Sequence, residues 1–550
     1  MEIQMIGDAL IAQILKQENV DWIGAYPYHS LIDEAAKINI KPIIPRQERA
    51  GVNMADGFSR INNGNKIGVF IMQRGPGAEN AFGGVAQAFS DAVPILLLPG
   101  GHERTKTQRS PEFDSVEHFK GITKWSANIN MVERIPELMG KAFSLLKNGR
   151  PGPVLLEIPQ DVALQEFNGS TKYTPVSTHL SSADPDAIKD IIKALIKSKN
   201  PVINAGQGIL YAEATKELIE FSELTNIPVM TTLAGKSAFP ENHPLSLGTA
   251  ARTGTKMCDD FLKNTDFILG LGTSFTQSNF QAPMPTNVPI AQSTNCTDDI
   301  NKDYRIDFGA IGDSKLVIKQ MIEEVKSQLG PEGRKDNNHV IDKIRKLKDE
   351  FIAEWLPHFT SNELPMSPYR VFHELAKTLG SSNVIITHDS GYPRDQLSPF
   401  WQATNPRGYI GWGKSTQLGY GLGLAIGAKM AAPEKHVVNV MGDASFGMAG
   451  MDIETATRSK VGTLTVILNN GVMTHYSDHM PVATEKWESN RFSGNYSKVA
   501  EGLGAFAKRI ETPDKISEAI NLAVKANDQG QPAVLEMITK EENNVPNYWF

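Results

Sequence analysis

Short, almost unbroken apolar runs recur along the chain, at 66–72, 94–98, 153–158, 201–204, 228–231, 267–271, 384–387, 437–441 and 464–468. Each has the length of a strand buried on both faces, because a half-buried strand would alternate polar and apolar residues. Longer stretches of mixed composition lie between them, and those at 7–17, 185–199 and 445–460 read as helices. Strands alternating with helices predict an α/β fold with mostly parallel sheets.

The alternation falls into three blocks, 1–167, 185–326 and 365–550. A Ser/Thr-rich stretch at 168–182 reads as a linker. Residues 327–364 are rich in Lys, Glu and Asp and read as a loop followed by an exposed helix. The similar block sizes make triplication of one architecture an expectation. The tail ends Tyr548-Trp549-Phe550. Exposed, these aromatics would be unusual, so the tail is expected to pack on a lid or a neighbouring subunit.

Composition narrows the function classes. A length of 550 residues suits several domains. Hydrophobic content of 40% and charged content of 21% are ordinary for a globular protein. A net charge of −7 with no dense basic block argues against a nucleic-acid partner. Only Cys258 and Cys296 are present, which gives no disulfide framework and fits a reducing compartment. No apolar run approaches the ~20 residues that span a bilayer, and the first residues lack a signal-peptide pattern. A cytoplasmic protein with no membrane partner is expected.

The most chemical pattern is Gly442-Asp443-Ala444, followed after 24 residues by Asn469-Asn470. It places a carboxylate at the end of one strand and an amide at the end of the next. In a right-handed parallel crossover both ends lie on the same sheet edge. Carboxylate and amide oxygens there suit a hard divalent cation such as Mg²⁺, which also recruits phosphate oxygens and water.

This pattern resembles the signature of thiamine diphosphate enzymes, with Ala444 where the family has Gly. Other segments agree. Pro45-Arg46-Gln47-Glu48-Arg49-Ala50-Gly51, Arg74-Gly75-Pro76-Gly77-Ala78-Glu79-Asn80, Gly149-Arg150-Pro151-Gly152-Pro153 and Phe239-Pro240-Glu241-Asn242-His243-Pro244 are similar to segments of the acetohydroxyacid (acetolactate) synthase branch. Its relatives include pyruvate oxidase, benzoylformate decarboxylase and the 2-hydroxyacyl-CoA lyases.

The resemblance implies three α/β domains: one for the cofactor's pyrimidine, a middle domain, and one for its diphosphate and Mg²⁺. It implies Glu48 as the carboxyl group against the pyrimidine, given by one subunit to a cofactor held by another, in a homodimer or dimer of dimers. On position alone Glu48 also reads as an ordinary helix N-terminal Glu. Leu418 would wedge between the cofactor rings and Thr416 would offer its carbonyl, though Leu418 also reads as core. Ser390, Gly391, Tyr392, Gly442, Ala444 and Ser445 would meet the diphosphate. Asp443, Asn470 and the Val472 carbonyl would hold Mg²⁺. The substrate would be a small 2-oxo acid or 2-hydroxyacyl compound.

Departures from the synthases concern the substrate side. Tyr28-His29 replaces a Gly-Gly pair, so His29 is either a proton-transfer group or a backbone-bonded loop histidine. Gly100-Gly101-His102 lacks the synthases' Gln. His475 and His479 could face one way on a helix, with His475 as a substrate contact from a lid. FAD is a further candidate, with Gly206, Gly208, Gly270 and Gly272 either lining a nucleotide or serving as turns. The readings left open are an acetolactate synthase-like ligase, a 2-oxo acid decarboxylase, a 2-hydroxyacyl-CoA lyase, a flavin oxidase, and a non-catalytic regulatory relative.

Overall fold

The structure, a computed structural model, describes residues 5–107, 109–169, 172–334 and 339–549. Three six-stranded sheets carry the chain, each parallel throughout. The apolar runs form their central strands, which are buried along their length as the pattern required. Helices cover both faces of each sheet, giving three α/β domains.

The first sheet holds β1 (Trp22–Ala25), β2 (Lys41–Ile43), β3 (Gly68–Met72), β4 (Ile95–Gly101), β5 (Trp125–Asn128) and β6 (Val154–Pro159), in the order β2-β1-β3-β4-β6-β5. The central sheet holds β7 (Pro201–Ala205), β8 (Val229–Thr231), β9 (Ser246–Thr249), β10 (Phe267–Leu271), β11 (Ile290–Thr294) and β12 (Phe308–Ile311), in the order β9-β8-β7-β10-β11-β12. The third holds β13 (Val384–His388), β14 (Tyr409–Ile410), β15 (His436–Gly442), β16 (Leu464–Asn469), β17 (Phe506–Ile510) and β18 (Ala533–Ile538), in the order β14-β13-β15-β16-β18-β17. The first and third sheets therefore share one order and the central sheet has another. The expectation of triplication holds for two domains only.

Two helices join the outer domains. Helix α1 (Glu48–Ile61) of the first domain lies against α2 (Tyr420–Ala431) of the third. Glycines allow the approach: a Cβ on Gly57 would sit 2.2 Å from the Leu424 carbonyl oxygen, and one on Gly427 only 1.9 Å from that of Met54. Beside this seam Arg60 is buried, donating to Asp56, to Asp91 at 3.0 Å and to the Gly411 carbonyl at 2.9 Å. Asp91 also accepts the Gly413 N–H at 3.1 Å, and Gln207 of the central domain donates to the Asp91 carbonyl. Three domains thus meet at one residue.

Three expectations need correction. The helix at 445–460 is broken into Asp443–Ala449 and Ile453–Ser459 by a 3-10 turn at Gly450–Asp452. The charged helix, His339–Phe359, is not simply exposed: Phe351, Trp355 and Phe359 are buried, and Phe351 stacks on Phe400 at 5.2 Å. Its charges occupy only the solvent face, as in any amphipathic helix. The segment read as a linker lies along the first domain, with Tyr173 donating to Glu18 at 2.6 Å and His179 N–H to Asn148 at 2.6 Å. The tail packs on the central domain of its own chain, with Trp549 Nε1 donating to the Ala251 carbonyl at 2.7 Å and the Gly254 N–H to that of Pro546 at 3.1 Å. Phe550 lies outside the described residues.

The helix seam makes a prediction. Gly427→Ala should destabilise the protein by about 1–3 kcal/mol through overpacking, read as a lower Tm. Gly447→Ala, inside a helix and with nothing within 4 Å of an added carbon, is the control and should hold or slightly raise Tm.

Candidate active site

In open parallel sheets ligands bind beyond the carboxyl ends of the strands, where the strand order reverses. In the third sheet that point lies between β13 and β15. A cavity of about 450 Å³ opens there. Its walls include Ser390, Gly391 and Tyr392 after β13, Gly442, Asp443, Ala444 and Ser445 at the end of β15, and Asn470 and Val472 after β16. Thr416 and Leu418 complete it from the loop before α2. Every third-domain position singled out in the sequence is in this one lining.

The backbone leaves room for a ligand. Gly391 has φ +83° and nothing within 4 Å of where a Cβ would stand. Asp443 is buried, and burial holds its carboxyl above the usual carboxylate range, offset by N–H donors from Ala444 and Gly471, each at 3.0 Å. Among the described residues no cation pairs with it. The Asn470 side-chain oxygen accepts the Val472 N–H at 3.1 Å, and its amide donates to Thr474 at 2.7 Å.

Asp389 organises this wall and escaped the sequence reading. Its fully buried carboxylate accepts N–H groups from Ser390 at 2.8 Å, Gly419 at 2.9 Å and Gly421 at 2.8 Å. Burial pushes its pKa up and these donors pull it down. It clamps the Thr416–Leu418 loop to the segment after β13. A lone Asp before Ser-Gly reads as a turn residue, so only the three converging amides show its role.

The first-domain candidates lie elsewhere. Glu48, Tyr28, His29 and His102 do not line this cavity. Glu48 is the first residue of α1, buried, and accepts from Asn80 at 3.2 Å. Tyr28 and His29 follow β1, at the order reversal of the first sheet, and His102 follows β4. His29 Nδ1 accepts the Leu31 N–H at 3.2 Å and stands 3.1 Å from Asp8 Oδ2. The backbone-bonded reading of His29 therefore describes its present contacts. His102 Nε2 lies 3.3 Å from Glu112.

His475 and His479 do line the cavity, but on a 3-10 turn, Tyr476–Asp478, rather than an α-helix. Their rings still meet edge to face at 5.8 Å. His475 has φ +70°, an uncommon conformation for a non-glycine residue, and its N–H donates to Glu541 at 2.9 Å.

A cleft at a strand-order reversal, lined by glycines and by a buried carboxylate that no cation pairs with among the described residues, marks an α/β protein with a ligand site at its strand ends. Comparison with known proteins identifies which. The chain belongs to the thiamine pyrophosphate enzyme family, matching its N-terminal TPP binding domain at 5–121, its central domain at 188–321 and its C-terminal TPP binding domain at 389–537. It is 30% identical to the "Probable acetolactate synthase large subunit" of Methanococcus aeolicus, over 95% of this chain and 91% of that protein. It is 29% identical to the acetolactate synthase large subunit of Buchnera aphidicola subsp. Schizaphis graminum, covering 99% and 96% of the two chains. Identity to the Escherichia coli isozyme 3 large subunit is 28%, covering 94% and 92%. No helix among the described residues is long and apolar enough to cross a membrane.

Asp389→Asn removes one acceptor and turns an NH₂ toward backbone donors. A loss of roughly 2–4 kcal/mol is expected from the unpaired buried groups. Thermal unfolding and a thiamine diphosphate titration check this, and both should weaken together.

Proposed function

We propose that this chain is an acetolactate synthase-type enzyme, decarboxylating one 2-oxo acid and ligating the remainder to a second. The observation that carries the reading is the single cavity holding every third-domain position the family motif implies. Bound there, thiamine diphosphate would supply the electron sink that bond cleavage beside a carbonyl requires.

Each residue has a defined task in this reading. Asp443, Asn470 and the Val472 carbonyl hold Mg²⁺, whose remaining positions go to phosphate and water. The cation-free buried carboxylate of Asp443 fits that ion. Gly391 and Ser445 offer their amides to the diphosphate, and the Ala444 N–H, which donates to Asp443 at 3.0 Å, would turn to it once the metal takes that carboxylate. Ser390 and Tyr392 flank it. Leu418 presses between the two rings, and the Thr416 carbonyl accepts from the pyrimidine amino group. Asp389 keeps that loop in place.

Glu48 holds a proton at the pyrimidine nitrogen, and in this reading it comes from a second copy. Its absence from the cavity of its own chain supports that. So do the exposed apolar side chains of Phe82, Met448 and Met451, close to α1 and the Gly419 loop. Tyr28, His29 and His102 would face substrate across the same boundary in a homodimer or dimer of dimers. The domain limits we propose are 1–167, 185–326 and 365–550, in a cytoplasmic enzyme.

FAD is a second cofactor reading, favoured by the central sheet. Its strand order is that of dinucleotide-binding folds. A cavity of about 260 Å³ at its order reversal is lined by Gly206, Gly208, Gly272, Ser274, Arg150 and Lys414. Gly206 and Gly208 are already used by close contact with Gly272, where a Cβ would meet backbone at 2.3 to 2.7 Å, so their turn role accounts for them. Gly270 faces the Phe275 ring. Burial lowers the Lys414 pKa to about 8. The cations suit a phosphate-bearing group, and flavin absorbance of the purified protein decides whether it is FAD.

The deciding experiment is mass analysis of products from pyruvate with thiamine diphosphate and Mg²⁺, with and without FAD. Acetolactate is expected. Acetaldehyde alone would make it a decarboxylase, and inertness toward 2-oxo acids would direct attention to 2-hydroxyacyl-CoA substrates. Glu48→Gln should keep the cofactor and lose most turnover; near-normal rates would remove Glu48 from its role. Asp443→Ala should weaken Mg²⁺-dependent cofactor binding at least tenfold by calorimetry, and unchanged affinity would take it out of the metal site.

A further inference from the structure

The loop that delivers Glu48 has no fastening of its own. Strand β2 ends at Ile43 and α1 begins at Glu48, so Ile44, Pro45, Arg46 and Gln47 connect them. A helix commonly orders its first turn through a side chain at its N-cap. Gln47 holds that position, and among the described residues its side chain makes no capping bond. The fastening comes from the third domain instead. Asp452 Oδ1 accepts the Arg46 N–H at 2.8 Å, from 406 residues further along the chain. Arg458 Nη2 donates to the Ile44 carbonyl at 2.6 Å. The loop is therefore gripped by its backbone at two points.

Both third-domain side chains are themselves braced. Thr455 Oγ1 donates to Asp452 Oδ1 at 2.9 Å, and Arg458 Nε donates to Glu454 at 2.8 Å. Asp452 is 1% exposed. Burying a carboxylate so deeply carries a desolvation cost, and the cavity does not account for it, because Asp452 is not in its lining. Asp452 also closes the 3-10 turn Gly450–Asp452 that breaks the helical segment begun by Asp443. A 3-10 stretch within a helix often marks a functional position. Here the break falls where the segment meets the Glu48 loop.

We propose that Asp452 and Arg458 are positioning residues for Glu48, which fix the loop 44–47 and so set where its carboxyl stands. The proposal deepens the reading of Glu48 above and rests on it. The body of α1 is located by its glycine seam and by Arg60, so the end that carries Glu48 is the part that needs a separate anchor. Hydrogen bonds with one charged partner are roughly twice as strong as neutral ones, and both grips are of that kind. Neither residue touches the cofactor in this reading; each acts through Glu48. A loop free to shift by about 1 Å would cost on the order of 100-fold in rate while leaving the fold intact.

The test follows Glu48 without any substrate. The full-length enzyme is loaded with thiamine diphosphate and Mg²⁺, and hydrogen–deuterium exchange at the thiazolium C2 is timed by NMR after quenching. Asp452→Ala should slow exchange about tenfold or more, with cofactor affinity by calorimetry held within about twofold. Asp452→Asn keeps an acceptor oxygen and should recover most of the rate. Arg458→Gln, at a solvent-exposed position, should slow exchange by a smaller factor. In a Glu48→Gln background Asp452→Ala should add no further loss, since residues acting through one group are not additive. A further loss of about tenfold in that background overturns the proposal. So does a wild-type exchange rate in Asp452→Ala. Should that variant not fold, Arg458→Gln decides, and a wild-type rate in it overturns the proposal. If Glu48→Gln slows exchange and Asp452→Ala does not, this inference alone fails. If Glu48→Gln itself exchanges at the wild-type rate, the reading of Glu48 fails with it.

Discussion

The close approach of α1 to α2 is the constraint on which the other parts depend. Glu48 begins one helix, and the Thr416–Leu418 loop leads into the other. Glycines bring the two backbones together, so side chains cannot act as spacers between them. Arg60 then fixes the helices against the strand ends of the third sheet through Gly411 and Asp91. A buried cation with three acceptors adds little net stability compared with an apolar isostere, but leaving any partner unpaired is costly. In this chain the network specifies how three domains meet.

Two consequences follow for the site. The third-domain cavity takes its walls from strand ends and loops of one chain, and Asp389 ties two of those loops together. The carboxylate on α1 is held beside it but outside it, buried with Asn80 rather than open to the cavity. The central domain reaches the cavity from the other side, through Arg252 and Phe280.

Much of this was legible in the sequence, for an identifiable reason. Strands buried on both faces must be apolar throughout, so β3, β4, β10, β15 and β16 declared themselves. Edge strands such as β5 and β17 are only partly buried, carry polar residues and passed unnoticed. The helix at 339–359 looked exposed because charge dominates its composition, while its buried stripe of Ile344, Phe351 and Trp355 is sparse. Motif spacing located Asp443 and Asn470, since backbone geometry alone brings adjacent strand ends to one edge. Asp389 has no such spacing: its partners include the amides of Gly419 and Gly421, about thirty residues on.

The sequence by itself determined the α/β class, the family and the residues at each strand end. Those follow from local periodicity and from short motifs whose geometry is set within one crossover. Tertiary structure alone decided that the first and third sheets share a strand order and the central one does not. It also decided that the aromatic tail returns to its own central domain. Those facts depend on which distant segments meet, and a buried charge or an unpaired donor has meaning only once its neighbours are in place.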